Sequence, residues 1–207
     1  MKESYLQSIA KPLPALKIAL LTTGYANERV HPSCQQAAQN AAKLCESMGC
    51  HVEEIGSPID GQALRGAFDV LFSANIGLLV STIKTLNPDK DVRTLIELTT
   101  LACSQSASRF GVADYARALQ TVQSVAKSLG EFFERYDILL TPTLASPPLA
   151  LGEISMSNEN WADYLRQLLD GIPFTPLFNA TGAPAASVPL GHTKDGAPIG
   201  VHIGARY

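Results

Sequence analysis

The sequence predicts an α/β protein with a mixed β-sheet and helices on both of its faces. Short apolar runs alternate with longer amphipathic stretches along the 207 residues, a pattern typical of strands alternating with helices. The first strand–helix–strand repeat has the length of a parallel βαβ crossover. The last two apolar runs flank a turn sequence that favours an antiparallel hairpin, so parallel and antiparallel pairing are both expected.

The early βαβ unit is predicted from two apolar runs and from the proline and glycine that bound the helix between them. Residues 16–22 form an apolar run typical of a short strand. Pro32 suits the first turn of the helix that follows, because that position needs no backbone N–H donor. Gly49 follows the helical stripe and is expected to end the helix in a left-handed conformation. Residues 50–55 then predict a second strand, parallel to the first.

The middle of the chain predicts three helices. Residues 64–86 are strongly apolar, but Arg65 and Asp69 interrupt them, so we predict a mostly buried helix rather than a membrane span. Residues 92–104 and 114–136 carry apolar side chains at helical spacing and predict two further helices.

The last third of the chain returns to strands. Residues 137–141 predict a strand that is buried on both faces and is stopped by Pro142. A short helix is expected around residues 161–168. Residues 185–189 and 199–203 predict the two strands of the closing hairpin.

Composition limits the function classes. The formal net charge is −3, the pI is about 5.8, and the basic residues form no cluster, which argues against nucleic acid or an anionic membrane as a partner. The four cysteines show no zinc-ligand spacing and favour a reduced, cytoplasmic context. Only 17% of residues are charged, against roughly 25% in typical domains. We therefore expect an apolar surface that is exposed or covered by a second copy of the chain.

Three segments carry a resemblance to a known family. Residues 137–143 read DILLTPT, residues 174–189 read FTPLFNATGAPAASVP, and residues 196–202 read GAPIGVH. Together with the early βαβ unit, they resemble the amidase-signature hydrolases, in particular bacterial members. The resemblance implies that residues 1–207 form the C-terminal portion of an amidase-signature α/β/α fold.

The same resemblance implies a mechanism whose catalytic groups are not in this sequence. The family uses a serine nucleophile, a second serine in a cis peptide and a lysine base, with the serines near a GGSSGG loop. The sequence contains no Gly-Gly and no Ser-Ser pair, so we expect the N-terminal catalytic region to be absent and assign no catalytic residue. Two Ser-x-x-Lys matches, at Ser81 and Ser124, fall inside predicted helices and are interpreted as chance.

Five residues are the candidate substrate-binding residues: Thr141, Thr143, Asn179, Thr181 and Gly182. The two residues beside Pro142 lie where α/β sheets bind ligands, at a carboxyl end of a strand, although their hydroxyls could instead cap nearby backbone. Asn179 and Thr181 could contact substrate or only fix the turn at Gly182, which we expect to adopt a positive φ. The sequence indicates no metal and no cofactor.

The function predicted from the sequence is a portion of an amidohydrolase that cleaves the C–N bond of a small linear or cyclic amide. The chain is expected to be inactive alone and to meet a small-molecule amide when the N-terminal half is supplied. The alternative is a non-catalytic α/β module that binds a partner or a small ligand.

Overall fold

A computed structural model describes residues 4, 6–7, 10–12 and 14–206. The strands and helices follow in this order: β1 (Lys17–Leu20), α1 (Pro32–Ser47), β2 (His51–Glu54), α2 (Gly61–Leu86), α3 (Leu98–Ser106), α4 (Val112–Phe133), β3 (Ile138–Pro142), α5 (Trp161–Gly171), α6 (Thr175–Thr181), β4 (Ala185–His192) and β5 (Pro198–Ala205).

The strands form one mixed sheet in the order β2-β1-β3-β5-β4. Strand β1 pairs in parallel with β2 and β3, whereas β5 is antiparallel to β3 and β4. The predicted α/β class, the parallel βαβ unit and the closing hairpin are therefore confirmed. Both hairpin strands are longer than predicted.

Helix α1 covers one face of the sheet with small side chains. Cys34, Ala38 and Ala41 are buried on this face, and small residues let a helix lie close to the strands beneath it. His31 caps the helix, because its Nδ1 accepts a hydrogen bond from the backbone N–H of Ser33 at 3.1 Å. Gly49 follows with a φ of +90°, which confirms the predicted left-handed end.

Helix α6 packs on the opposite face of β5. The Phe178 ring lies so close to Gly204 that a Cβ there would overlap it, and only glycine leaves room for the ring. Leu177 is fully buried beside it, in the same core as Leu129 and Phe132 of α4. Helices therefore lie on both faces of the sheet, as predicted.

The prediction that the apolar helix over residues 64–86 is mostly buried was wrong. Helix α2 starts earlier, at Gly61, and exposes Leu78, Leu79 and Leu86 to 69%, 50% and 74%. Its apolar side chains surround the helix axis, whereas its neighbours α3 and α4 contact only part of that surface. Within the described residues, much of the apolar surface of α2 is therefore uncovered.

By length and composition, α2 could also cross a membrane, although a single such helix is weak support for a span. Two of its charged residues, Arg65 and Asp69, are tied to the rest of the fold. Arg65 bridges Glu28 at 2.7 Å and Asp170 at 2.8 Å, and Asp69 accepts a hydrogen bond from Trp161 Nε1 at 2.8 Å. These contacts favour packing against the protein over packing against lipid, because charged side chains that are partly removed from water need their partners.

Two other helix predictions differ from the structure in their bounds. The helix expected over residues 92–104 is interrupted: a 3₁₀ turn covers Val92–Thr94, and α3 begins only at Leu98. Asp91 caps the short turn by accepting from the backbone N–H of Arg93 at 3.0 Å. The helix is broken after this turn because Glu97 adopts an extended backbone conformation, with a φ of −70° and a ψ of 154°. The helix expected over residues 114–136 is α4, which begins at Val112 and ends at Phe133.

Candidate functional site

The carboxyl end of strand β3 meets a cavity of about 190 Å³. Strand β3 ends at Pro142, and the chain continues through Thr143 into a loop that faces the start of β5. The cavity lies between this loop and β5, with the first turn of α1 contributing one residue. Its lining residues are Cys34, Thr143, Leu144, Ser146, Pro148, Ser187, Pro198, Ile199 and Gly200. This is the edge of an α/β sheet where ligands generally bind.

Thr143 is the candidate residue that the fold places at this cavity. Its backbone N–H donates to the carbonyl of Gly200 at 3.0 Å and thereby extends the pairing of β3 with β5. Its Oγ1 lies 2.7 Å from the Oγ of Ser187 on β4. The two hydroxyls therefore form a hydrogen-bonded pair across the intervening strand β5.

Gly200 of β5 lies beneath this hydroxyl pair. A Cβ at Gly200 would lie 2.7 Å from both the Ser187 and the Thr143 hydroxyl oxygens. Any side chain at this position would therefore push the pair apart. Sequence reasoning missed Ser187 and Gly200, because their proximity to Thr143 depends on the β3–β5–β4 register rather than on chain separation.

Thr141 lies within β3, two residues before Thr143, and is fully buried. Its hydroxyl donates to the backbone carbonyl of Pro142 at 2.8 Å, the local contact that the sequence left open as an alternative to pocket lining. It faces the same side of the sheet as Thr143, but it does not line the cavity.

Asn179, Thr181 and Gly182 lie together at the end of α6, away from the cavity. The Thr181 hydroxyl donates to the Leu177 carbonyl at 2.9 Å. Gly182 caps the helix with a φ of +73°, which confirms its predicted positive φ. The side chain of Asn179 is exposed. These contacts turn the chain from α6 into β4.

His202 is a buried polar residue to which the sequence assigned no role. It lies on β5, in register with Thr141 on one side and Ser187 on the other. The residue is 95% buried, and its ring packs edge-on against the Phe178 ring, with the ring centres 4.8 Å apart. Among the described residues its Nδ1 has no hydrogen-bond partner. Burial lowers the pKa of His202, which favours the neutral imidazole.

The remaining nucleophile candidates do not form a catalytic arrangement. Burial raises the pKa of the Cys34 thiol at the cavity wall, which disfavours the reactive thiolate. Ser81 and Ser124 lie within α2 and α4, as predicted, and both are exposed. Lys127 pairs with Glu131 at 3.8 Å. Among the residues that the structure describes, no group of three His, Cys, Asp or Glu side chains could hold a metal ion.

Comparisons with known sequences define the class of protein. The sequence matches the Amidase family over residues 1–207, and the chain belongs to this family. The protein named AmiC of Mycobacterium leprae (strain TN) is 28% identical over 192 residues, which cover 93% of this chain and 40% of that protein. A glutamyl-tRNA(Gln) amidotransferase component of Clostridium acetobutylicum is 27% identical over 221 residues, covering 98% and 44%.

Solved structures share the fold. The structure of 6-aminohexanoate cyclic dimer hydrolase matches with a TM-score of 0.88 and 22% identity over 100% of this chain and 44% of its own. A bacterial aryl acylamidase of the amidase-signature family matches with a TM-score of 0.77 and 23% identity, covering 97% and 42%. The chain thus spans less than half the length of each of these four proteins.

Proposed function

We propose that this chain supplies the C-terminal scaffold of an amidohydrolase that cleaves the C–N bond of a small linear or cyclic amide. In this proposal, the chain contributes sheet, core and one side of the substrate pocket. The serine nucleophile, its partner serine and the lysine base come from the N-terminal catalytic region that the resemblance implies. The cytoplasmic context expected from the four cysteines belongs to the same proposal.

The observation that carries this proposal is a family match along the whole chain that covers only 39–45% of several amidase relatives. The free edge of the sheet supports it. Strand β4 has exposed residues along most of its length and bears no charged side chain. An uncharged, exposed edge strand is suited to pairing with a further strand. The cavity beside Thr143 opens close to this edge.

The chemistry of amide hydrolysis explains why the chain alone should be inactive. A serine hydroxyl needs an adjacent base to become an effective nucleophile. The serines that match Ser-x-x-Lys lie within helices, and the thiol at the cavity is held protonated by burial. Losing a nucleophile and its base together costs roughly six decades in rate in a well-studied serine hydrolase.

The test is hydrolysis of simple amides and aryl anilides by the purified chain. We expect no release above the buffer background. Release that co-purifies with the chain through a second column would overturn the proposal. The variants Ser81→Ala, Ser124→Ala and Ser187→Ala would then locate the nucleophile, since loss in one variant alone identifies that serine.

A second candidate is a non-catalytic module that binds a partner, and the exposed apolar side chains of α2 favour it. The partner would cover Leu78, Leu79 and Leu86, or a second copy of the chain would do so. Sedimentation of the purified chain separates the cases: a concentration-dependent dimer favours self-association, and a stable monomer argues against it.

A further inference from the structure

The hydroxyl pair of Thr143 and Ser187 is a polar feature of a largely apolar cavity that is open to solvent on the Ser187 side. We propose that this pair, held above Gly200, recognises the neutral carboxamide end of a small ligand that enters the cavity. The substrate class in this inference rests on the proposed amidohydrolase function. The recognition point itself rests on the geometry of three adjacent strands.

The hydrogen-bonding capacity of the pair matches a carboxamide. Each hydroxyl has one donor and two acceptor lone pairs. The bond between them, at 2.7 Å, uses one donor and one lone pair, so one O–H donor and several lone pairs remain. A carboxamide presents a carbonyl acceptor and N–H donors and can use both. A carboxylate presents acceptors only, and an ammonium group presents donors only.

The glycine beneath the pair is required for this geometry. Thr143 follows β3 and Ser187 lies on β4, so β5 separates them. The two side chains meet because Gly200 has none, since a Cβ would lie 2.7 Å from each oxygen. An alanine at this position would force the hydroxyls apart and reduce the space above them. Gly200 thus acts as a positioning residue for the pair.

The remainder of the cavity favours an uncharged ligand. Leu144, Pro148 and Ile199 give it an apolar wall. None of the described residues that line it carries a carboxylate, ammonium, guanidinium or imidazole group. A charged end group bound there would therefore meet no counter-charge among these lining residues. The volume of about 190 Å³ is below that of typical drug-sized pockets and suits one end of a ligand.

The proposal is tested by binding, with no need for turnover. Hexanamide, hexanoate and hexylammonium are titrated into the isotopically labelled chain, and the shifts of backbone amides around the cavity are followed by NMR. These probes have the same chain length and differ in the charge of the end group. We expect saturable shifts with hexanamide and weaker or no binding of both ions.

Variants then assign the recognition to the pair. Thr143→Val and Ser187→Ala should each weaken hexanamide binding about three- to tenfold, as expected for loss of one neutral hydrogen bond. Gly200→Ala should abolish it by displacing both hydroxyls. Thr121→Val is the matched control, because its hydroxyl bonds only to the Arg117 carbonyl on α4, outside the cavity lining. Thermal unfolding of each variant establishes that it is folded.

Several outcomes would overturn the inference. These are absence of saturable hexanamide binding, equal binding of hexanoate, or unchanged affinity in both hydroxyl variants. Failure of the proposed function is distinguishable from these, because amide turnover by the chain alone changes the source of the nucleophile but not the hexanamide shifts. If the chain alone did show turnover, loss of hexanamide binding in Thr143→Val with unchanged turnover would separate recognition from chemistry.

Discussion

Strands β3 and β4 both pair with β5, yet their surroundings are opposite. The residues from Leu139 to Pro142 of β3 are all buried, between β1 and β5 and beneath helices. Almost every residue of β4 is exposed, and its outer edge has no partner strand among the described residues. Both strands carry segments of the family resemblance. A shared sequence pattern therefore marks a characteristic place in the fold, and it does not by itself indicate burial within this chain.

The exposure of β4 also helps to explain why the chain has a low share of charged residues. A surface helix or edge strand of a free-standing domain usually carries charge, and β4 and the end of α2 carry little. Two features of β4 still limit uncontrolled pairing: Pro189 lacks a donor, and the register shifts between Pro189 and Gly191. The edge is thus open at residues 185–188 and irregular beyond them.

The largest contrast between the two strands should appear on truncation of a leucine. Leu139→Ala in β3 removes a fully buried side chain and should lower the free energy of unfolding by about 3 kcal/mol. Leu190→Ala in β4 removes a side chain that is 41% exposed and should cost less than about 1 kcal/mol. Urea unfolding of the two variants measures both values. Equal losses would show that β4 is as well packed as β3.

The fold could be predicted from the sequence wherever local signals agree with packing. Pro32 and Gly49 bound α1 because helix ends have strong local preferences. The burial of helix α2 was predicted wrongly. Its apolar composition indicates that its side chains favour burial, but the described residues cover only part of the helix. Periodicity within one segment carries no information on what lies against it.

The candidate site was harder to predict than the fold. Thr143 could be placed from its position after a buried strand. Ser187 and Gly200 could not, since they approach Thr143 through the register of two strand pairings that no local pattern encodes. The role of Thr141 remained open in the sequence, because a threonine beside proline has both a local carbonyl and a pocket within reach.

A smaller effect on stability should come from pH. It concerns His202, which lies on β5 between β3 and β4. Burial lowers the pKa of His202, so the unfolded chain binds its proton more readily than the folded chain does. The contribution of His202 to the free energy of unfolding should be constant well above about pH 6.5, the unperturbed value for histidine. It should fall as the pH drops from there towards the lower folded-state pKa, and it should level off below that pKa. His202→Gln should flatten this fall, as measured by urea unfolding between neutral and mildly acidic pH.

The control for this pH effect is His192→Gln at the exposed end of β4. Its imidazole is accessible to water, so this variant removes one histidine from the chain and leaves the buried position on β5 unchanged. If both variants changed the slope equally, the pH dependence would not come from the buried position on β5.

The smallest effect on stability, and the sharpest test of the open edge, is a charge on β4. Val188 is 36% exposed, so Val188→Lys should change the free energy of unfolding by no more than about 0.5 kcal/mol. A lysine on an edge strand opposes pairing with another strand, because its charge would be buried at the new contact. We therefore expect this variant to sediment as a monomer at concentrations where the natural chain self-associates.

The control is Val112→Lys, at a position 88% exposed on α4, which adds the same charge away from the edge and should leave self-association unchanged. Self-association that persists in Val188→Lys would place the contact elsewhere, with the exposed leucines of α2 as the next surface to change.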